Sequence, residues 1–194
     1  MNILYLHGFQ SGAQSIKGLQ LQQYCQQHTP HRVYCPDLNL PPKQVIATIE
    51  QYFHSLDDVV LVGSSLGGFY ATCIALKYDC PAVLINPVIH PWQVFQQRFT
   101  EVTLPYQVHE NWCLEETHLL ELEQLHQAMP LQLTKFLVLL QQGDEVLDYR
   151  EAQRYYRQGM HGGLVITETG GQHAMCNFAD KIPMLLTFLS DRLI

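Results

Sequence analysis

Four consecutive apolar residues, Val59-Val60-Leu61-Val62, run directly into Gly63-Ser64-Ser65-Leu66-Gly67, after which apolar residues recur at helical spacing through Phe69, Tyr70, Cys73, Ile74 and Leu76. An unbroken apolar run reads as a strand buried on both faces, which requires other elements to cover it above and below. This part of the chain is thereby constrained to a strand, a tight turn and a helix that doubles back along the strand. Glycine at 63 and 67 suits a turn where backbone segments pass too close for side chains. A G-x-S-x-G at such a turn is how a serine nucleophile is held clear of a strand end, so Ser65 is the candidate nucleophile. The bland alternative is a glycine-rich turn capped by serine; the strand before it and the helix after it favour the nucleophile.

The same alternation of short apolar runs and longer amphipathic segments extends along the whole chain. Strands are expected at 2–6, 32–35, 59–63, 82–86, 136–141 and 163–167, and helices at 15–28, 43–55, 66–78, 149–158 and 179–192. That order predicts an α/β fold, a mostly parallel sheet of about six strands with helices on both faces. The interval 88–131 is too long for a simple crossover and carries apolar residues of its own, so it is expected to form a small helical cap inserted in one domain spanning 1–194. Within it Leu119, Leu122, Leu125 and Met129 recur at three- and four-residue spacing, the mark of a helix packed on the body.

Composition narrows the function classes. The 194 residues are 47% apolar, enough for one sizeable core, and carry 18 acidic against 11 basic residues for a net charge of −7. With no local cluster of basic residues, a general affinity for nucleic acid or an anionic membrane is not expected. The start Met1-Asn2-Ile3-Leu4-Tyr5-Leu6-His7-Gly8 resembles neither a signal peptide nor a membrane span, and the six cysteines form no C-x-x-C pair. A cytoplasmic protein with reduced thiols is the expectation, with no metal or cofactor.

A serine hydroxyl needs a base, and the base needs an orienting acid. Of the ten histidines, His173 is best placed, in the loop Thr169-Gly170-Gly171-Gln172-His173 after the last strand and before the last helix. His28, His31, His54, His109, His118, His126 and His161 read as surface or satisfied core residues. The acid is Asp144, which follows the strand Phe136-Leu137-Val138-Leu139-Leu140 on the same rim. Its rivals are Glu145 and Asp148, but Asp148, with Glu151 three residues on, reads as a helix N-cap. The oxyanion of a tetrahedral intermediate would be held by the backbone N–H groups of Leu66 and Phe9, the latter turned inward at Gly8, each donor worth roughly 3 to 4 kcal/mol. His7 itself reads as a hydrogen-bonded structural residue.

Leu6-His7-Gly8-Phe9, Gly63-x-Ser65-x-Gly67-Gly68, Gly143-Asp144-Glu145-Val146 and Gly171-Gln172-His173, in that order, resemble the α/β-hydrolase superfamily over the whole chain. His7-Gly8-Phe9-Gln10-Ser11 with Ser15-x-Lys17, and Asn86-Pro87, are similar more narrowly to the YqiA-type esterase family, with departures at Gly12-Ala13 and Gly18. The resemblance implies a cytoplasmic serine esterase that acts on a small-molecule ester or thioester through an acyl-enzyme. The rival readings are an acyl-CoA thioesterase and a hydrolase-fold binding protein without activity. The pocket is expected under the cap, with Phe9, Trp92, Phe95, Phe99 and Trp112 as candidate lining. Arg98 is the only Lys or Arg in 88–131, against Glu101, Glu110, Glu115, Glu116, Glu121 and Glu123. Small neutral esters are therefore expected to be favoured over acyl-CoA, with Lys17 the one nearby residue opposing this.

Overall fold

In the computed structural model, residues 1–98, 104–110, 112–127, 132–158 and 162–193 are described. The expectations placed on Phe99, Glu101, Met129 and His161 lie outside them. Among the described residues, six strands form one parallel sheet: β1 (Asn2–Leu6), β2 (Arg32–Tyr34), β3 (Val59–Ser64), β4 (Ala82–Ile85), β7 (Phe136–Gln141) and β8 (Leu164–Glu168). Their order across the sheet is β2-β1-β3-β4-β7-β8. β1, β3, β4 and β7 are therefore interior strands, and β3, β4 and β7 are buried at every residue. Each valine or leucine so buried contributes about 1.5 to 3 kcal/mol.

Alternation of side chains along the strands divides the interior in two. Ile3, Tyr5, Val60, Val62, Val83, Ile85, Leu137 and Leu139 point to one face, where α1 (Ile16–His28) contributes Leu21 and Cys25 and α7 (Ile182–Arg192) contributes Ile182, Leu185, Leu186 and Leu189. Leu4, Leu6, Leu61, Leu84, Val138 and Leu140 point to the other, against α2 (Pro42–Ser55), α3 (Leu66–Tyr78) and α6 (Tyr149–Tyr156). α3 is buried almost throughout its first ten residues because the sheet covers one side and neighbouring helices the other. α7 begins later than expected: Phe178–Lys181 forms a 3-10 turn, and Pro183 sits in the first turn of the α-helix, where its missing N–H costs nothing.

The segment between β4 and β7 departs from an all-helical cap. It contains α4 (Pro91–Arg98) and α5 (Glu116–Gln127), but also an antiparallel hairpin of β5 (Tyr106–His109) and β6 (Trp112–Leu114). The two strands are short, with a register shift between Gln107 and His109, so their period-two pattern covers too few residues to stand out in the sequence. α5 packs on the body as expected, burying Leu119 and Leu122 with Leu125 partly covered, and Lys43 on α2 pairs with Glu121 at 3.0 Å.

Candidate active site

Ser65 stands between the last residue of β3 and the first of α3, with φ 54° and ψ −119°. This is a left-handed conformation that a side chain adopts only at a cost of about 1 to 3 kcal/mol, so the surroundings must enforce it. They do so by close backbone contact. A Cβ on Gly63 would lie 2.4 Å from the Gly67 carbonyl oxygen, and a Cβ on Gly67 would lie 2.0 Å from that of Leu6. Pro87 occupies the space beside Gly68, 2.7 Å from where a Cβ would fall. The Ser65 N–H donates to the Ile85 carbonyl at 3.0 Å, and its own carbonyl accepts from the Gly68 N–H at 2.9 Å.

His173 reaches this serine from the loop after β8, its Nε2 lying 3.0 Å from Ser65 Oγ. Its Nδ1 lies 2.8 Å from Oδ2 of Asp144, whose side chain is only 2% exposed. The other carboxylate oxygen of Asp144 accepts the N–H groups of Val146 and Leu147 at 2.9 and 2.8 Å, so the acid is held from both sides. With Nδ1–H donated to the carboxylate, Nε2 is left as an acceptor for the serine hydroxyl proton. The three expected side chains are thus brought into one hydrogen-bonded line.

The two rival acids have other partners. Asp148 is the N-cap of α6, its Oδ1 accepting the Arg150 N–H at 3.0 Å. Glu151, three residues on, binds His90 Nδ1 at 2.5 Å. Glu145 accepts the backbone N–H of His173 at 2.9 Å, and this bond holds its pKa below the ordinary glutamate value. His7 is 3% exposed, with Nδ1 against the Gly8 carbonyl and Nε2 accepting the Leu38 N–H, so it bridges two loops as a neutral ring; burial lowers its pKa.

The segments that carry the two expected oxyanion donors both adjoin Ser65. Leu66 is the first residue of α3, so its N–H has no acceptor within the helix. Gly8 lies so close to the serine that a Cβ there would be 3.1 Å from Ser65 Cβ and 3.7 Å from Oγ, which brings the Gly8–Phe9 segment to the same end of the site.

Two residues that the sequence reading left without a role hold the histidine loop. Asn86, 2% exposed and with φ 41°, donates from Nδ2 to the carbonyls of His173 and Gln172 at 3.1 and 3.3 Å and accepts the Gln141 N–H on Oδ1 at 3.0 Å. Gln141 accepts the Gln172 N–H at 2.8 Å and donates to Asn177 and Glu168. Glu168, also paired with Lys181, has its pKa pulled down to about 2, chiefly by that lysine and by Gln141. The signal that could have found both is position: a buried amide at the C-terminal end of an interior strand faces the rim where a parallel sheet builds its site.

The cleft beside Ser65, about 450 Å³, differs from the expected pocket under the cap. Its walls include Gly8, Phe9, Ser15, Lys17, His173 and Ala174, so it opens toward the start of α1. Of the expected aromatic lining among the described residues, only Phe9 borders it. Trp92, Phe95 and Trp112 are 5 to 7% exposed core residues, and Phe9 packs on Phe95 at 4.7 Å between ring centroids. These aromatics bury more by joining the core than they would by lining an open cleft.

The sheet order, the serine turn and the acid and histidine on following loops define the α/β-hydrolase fold, and solved structures agree. The chain is similar to Est1E from Butyrivibrio proteoclasticus with ferulic acid bound, at 12% identity and a TM-score of 0.74 over 98% of this chain and 88% of that one. It is also similar to mouse alpha/beta hydrolase domain-containing protein 10, at 16% identity and a TM-score of 0.72 over 100% and 90%. An esterase domain from Rhodothermus marinus matches at 14% identity and a TM-score of 0.68 over 99% and 86%. Residues 2–190 match the family described as "Uncharacterised protein family (UPF0227)", and the chain belongs to that family, the YqiA family.

Proposed function

We propose that this chain is a serine carboxylesterase that hydrolyses small carboxylic esters through an acyl-enzyme on Ser65. The observation that carries the reading is the unbroken line from Ser65 Oγ through His173 to Asp144, at 3.0 and 2.8 Å, with the carboxylate buried. In the first step Ser65 Oγ attacks the ester carbonyl carbon while His173 Nε2 takes its proton. The carbonyl oxygen becomes negative and is held by the N–H groups of Leu66 and Phe9. Collapse of the intermediate breaks the bond to the alcohol, which leaves with the proton returned from His173. Water then repeats the sequence on the acyl-enzyme: His173 takes a proton from water, the acid is released and Ser65 recovers its hydrogen. Asp144 holds the imidazole in the required tautomer and stabilises its charged form.

Among the described residues no helix is long and apolar enough to cross a membrane, and all six cysteines are free thiols. The latter suits a reducing, cytoplasmic setting, which belongs to the proposal. An acyl-CoA thioesterase would use the same residues. The choice between them turns on the charge around the cleft. A turnover screen across ester chain lengths, acyl-CoAs, lactones and an amide tests the reading, with Ser65→Ala as control. Ester hydrolysis that falls to the buffer rate in Ser65→Ala supports it; equal rates in the variant and its parent overturn it.

A further inference from the structure

Among the described residues, the cleft beside Ser65 is lined by one cation and no acid. Its lining includes Ser11, Gln14, Ser15, Lys17 and Gln20 but neither Asp nor Glu, in a chain whose net charge is −7. The cation is itself unusual here. Lys43, Lys77, Lys135 and Lys181 are each paired with a carboxylate, on Glu121, Glu50, Asp79 and Glu168 respectively. Lys17, the fifth lysine, is bonded among the described residues only to the carbonyl oxygen of Ala174, at 2.7 Å. An ammonium has three N–H donors, so two are left for a ligand. Burial lowers its pKa, with the Cys176 thiol as the sole opposing neighbour; an anion set against it would relieve that penalty. The start of α1 adds to the positive potential, since its first N–H groups have no acceptor within the helix. The Ser15 hydroxyl, buried beside Tyr5, borders the same space.

The side of the scissile bond follows from the proton transfer. His173 must return its proton to the leaving oxygen, so the alcohol portion departs past His173 and Ala174, where Lys17 is fastened. Resting on the esterase reading above, we infer that Lys17 forms a specificity subsite for a carboxylate on the alcohol portion of the substrate, so that the esters accepted are those of small hydroxy acids. The arrangement reconciles an acidic chain with an anionic substrate, because none of the described acidic side chains lines the cleft and their repulsion is screened, while the ammonium acts at short range. The thiol portion of CoA carries its phosphates many bonds from the reacting carbonyl and does not place an anion at this distance.

The test compares O-butyryl glycolate with its neutral isostere O-butyryl glycolamide, and with monoethyl succinate, which carries the carboxylate on the acyl side. The glycolate ester is expected to have a kcat/KM about ten- to a hundredfold above the glycolamide, the range of one charge-assisted hydrogen bond, and the preference is expected to shrink as salt rises. In Lys17→Met the loss on the glycolate ester exceeds the loss on the glycolamide by about tenfold and lies in KM, while Lys17→Arg restores most of it. Equal kcat/KM for the pair in the parent overturns the subsite, as does a preference for monoethyl succinate. A parallel fall in kcat on both glycolyl substrates in Lys17→Met also overturns it, since that is the signature of a lysine that only positions His173 through Ala174. The esterase reading fails in a different way, by absence of turnover on all of these and on p-nitrophenyl butyrate in the parent protein.

Discussion

Ser65 and His173 stand 3.0 Å apart, yet the chain holds them by different means. The serine is fixed by shape. Its strained backbone is enforced by segments packed so tightly that Gly63 and Gly67 have no room for a methyl group, and all of this lies within a few residues of the serine or on the adjoining strand. The histidine is fixed by polar contacts from distant parts of the chain. Asn86, Gln141, Asp144 and Glu145 each hold part of its loop by a hydrogen bond to a ring nitrogen, a carbonyl or an N–H. Steric enforcement is short in range and all-or-none, whereas a hydrogen-bonded loop can lose one partner and keep partial order. The two halves of the site should therefore fail differently when damaged.

The largest effect is expected on the polar side, at Asp144→Asn. An amide cannot accept the His173 Nδ1–H and the two backbone N–H groups together without presenting its NH2 to one of them, so the ring loses its tautomer. On the esterase reading kcat falls by about three to four orders of magnitude while the denaturation midpoint stays close to that of the parent. Steady-state kinetics beside a urea titration reads both. The next is steric. Gly67→Ala places a methyl against the Leu6 and His7 carbonyl oxygens, backbone atoms that cannot yield without opening β1 from β3. A loss of about 3 kcal/mol or more in unfolding free energy is expected, and a variant as stable as the parent would mean that the turn is not held by shape.

The same difference between steric and polar fixation decides what was legible in the sequence. Gly63, Ser65 and Gly67 announce themselves because a steric solution is local and repeats as a motif between an apolar run and a helix. Asp144 and His173 were legible from their places after strands, and Asp148 from capping chemistry. Asn86 and Gln141 were not, since each looks like an ordinary strand-end amide until the sheet order brings β4 beside β7 and the histidine loop over both. The interior strands were readable nearly to the residue because full burial leaves unbroken apolar runs. The β5–β6 hairpin was missed because seven residues with one register shift carry too little periodicity. Trp92, Phe95 and Trp112 were misread as lining because aromatic residues report burial as readily as ligand binding.

Asn86→Ala sharpens the comparison at intermediate cost. It strips two carbonyls and the Gln141 N–H of their partners, and an unmet buried group costs about 1 to 3 kcal/mol. The histidine loop should loosen while the serine turn stays intact, so kcat is expected to fall about ten- to a hundredfold. Asn86→Asp keeps the acceptor for Gln141 but sets a carboxylate against two carbonyls, and should be no better. If Asn86→Ala turned over ester at the parent rate, the polar network would be ornamental. The smallest effect is expected at Asp148→Asn: asparagine caps a helix about as well as aspartate, so stability should change by only a few tenths of a kcal/mol and turnover by less than about twofold. A larger loss of turnover there than in Asp144→Asn would reverse the assignment of the acid.

On the esterase reading, the held serine is a nucleophile activated by the held histidine. Treatment with a fluorophosphonate, followed by intact-protein mass measurement and peptide mapping, tests it without any knowledge of the substrate. One adduct per chain is expected on Ser65, none in Ser65→Ala, and strongly slowed labelling in His173→Gln, in which the fold is retained but the base is gone. No adduct on the folded parent protein, or an adduct on another residue with Ser65 unmodified, would contradict it.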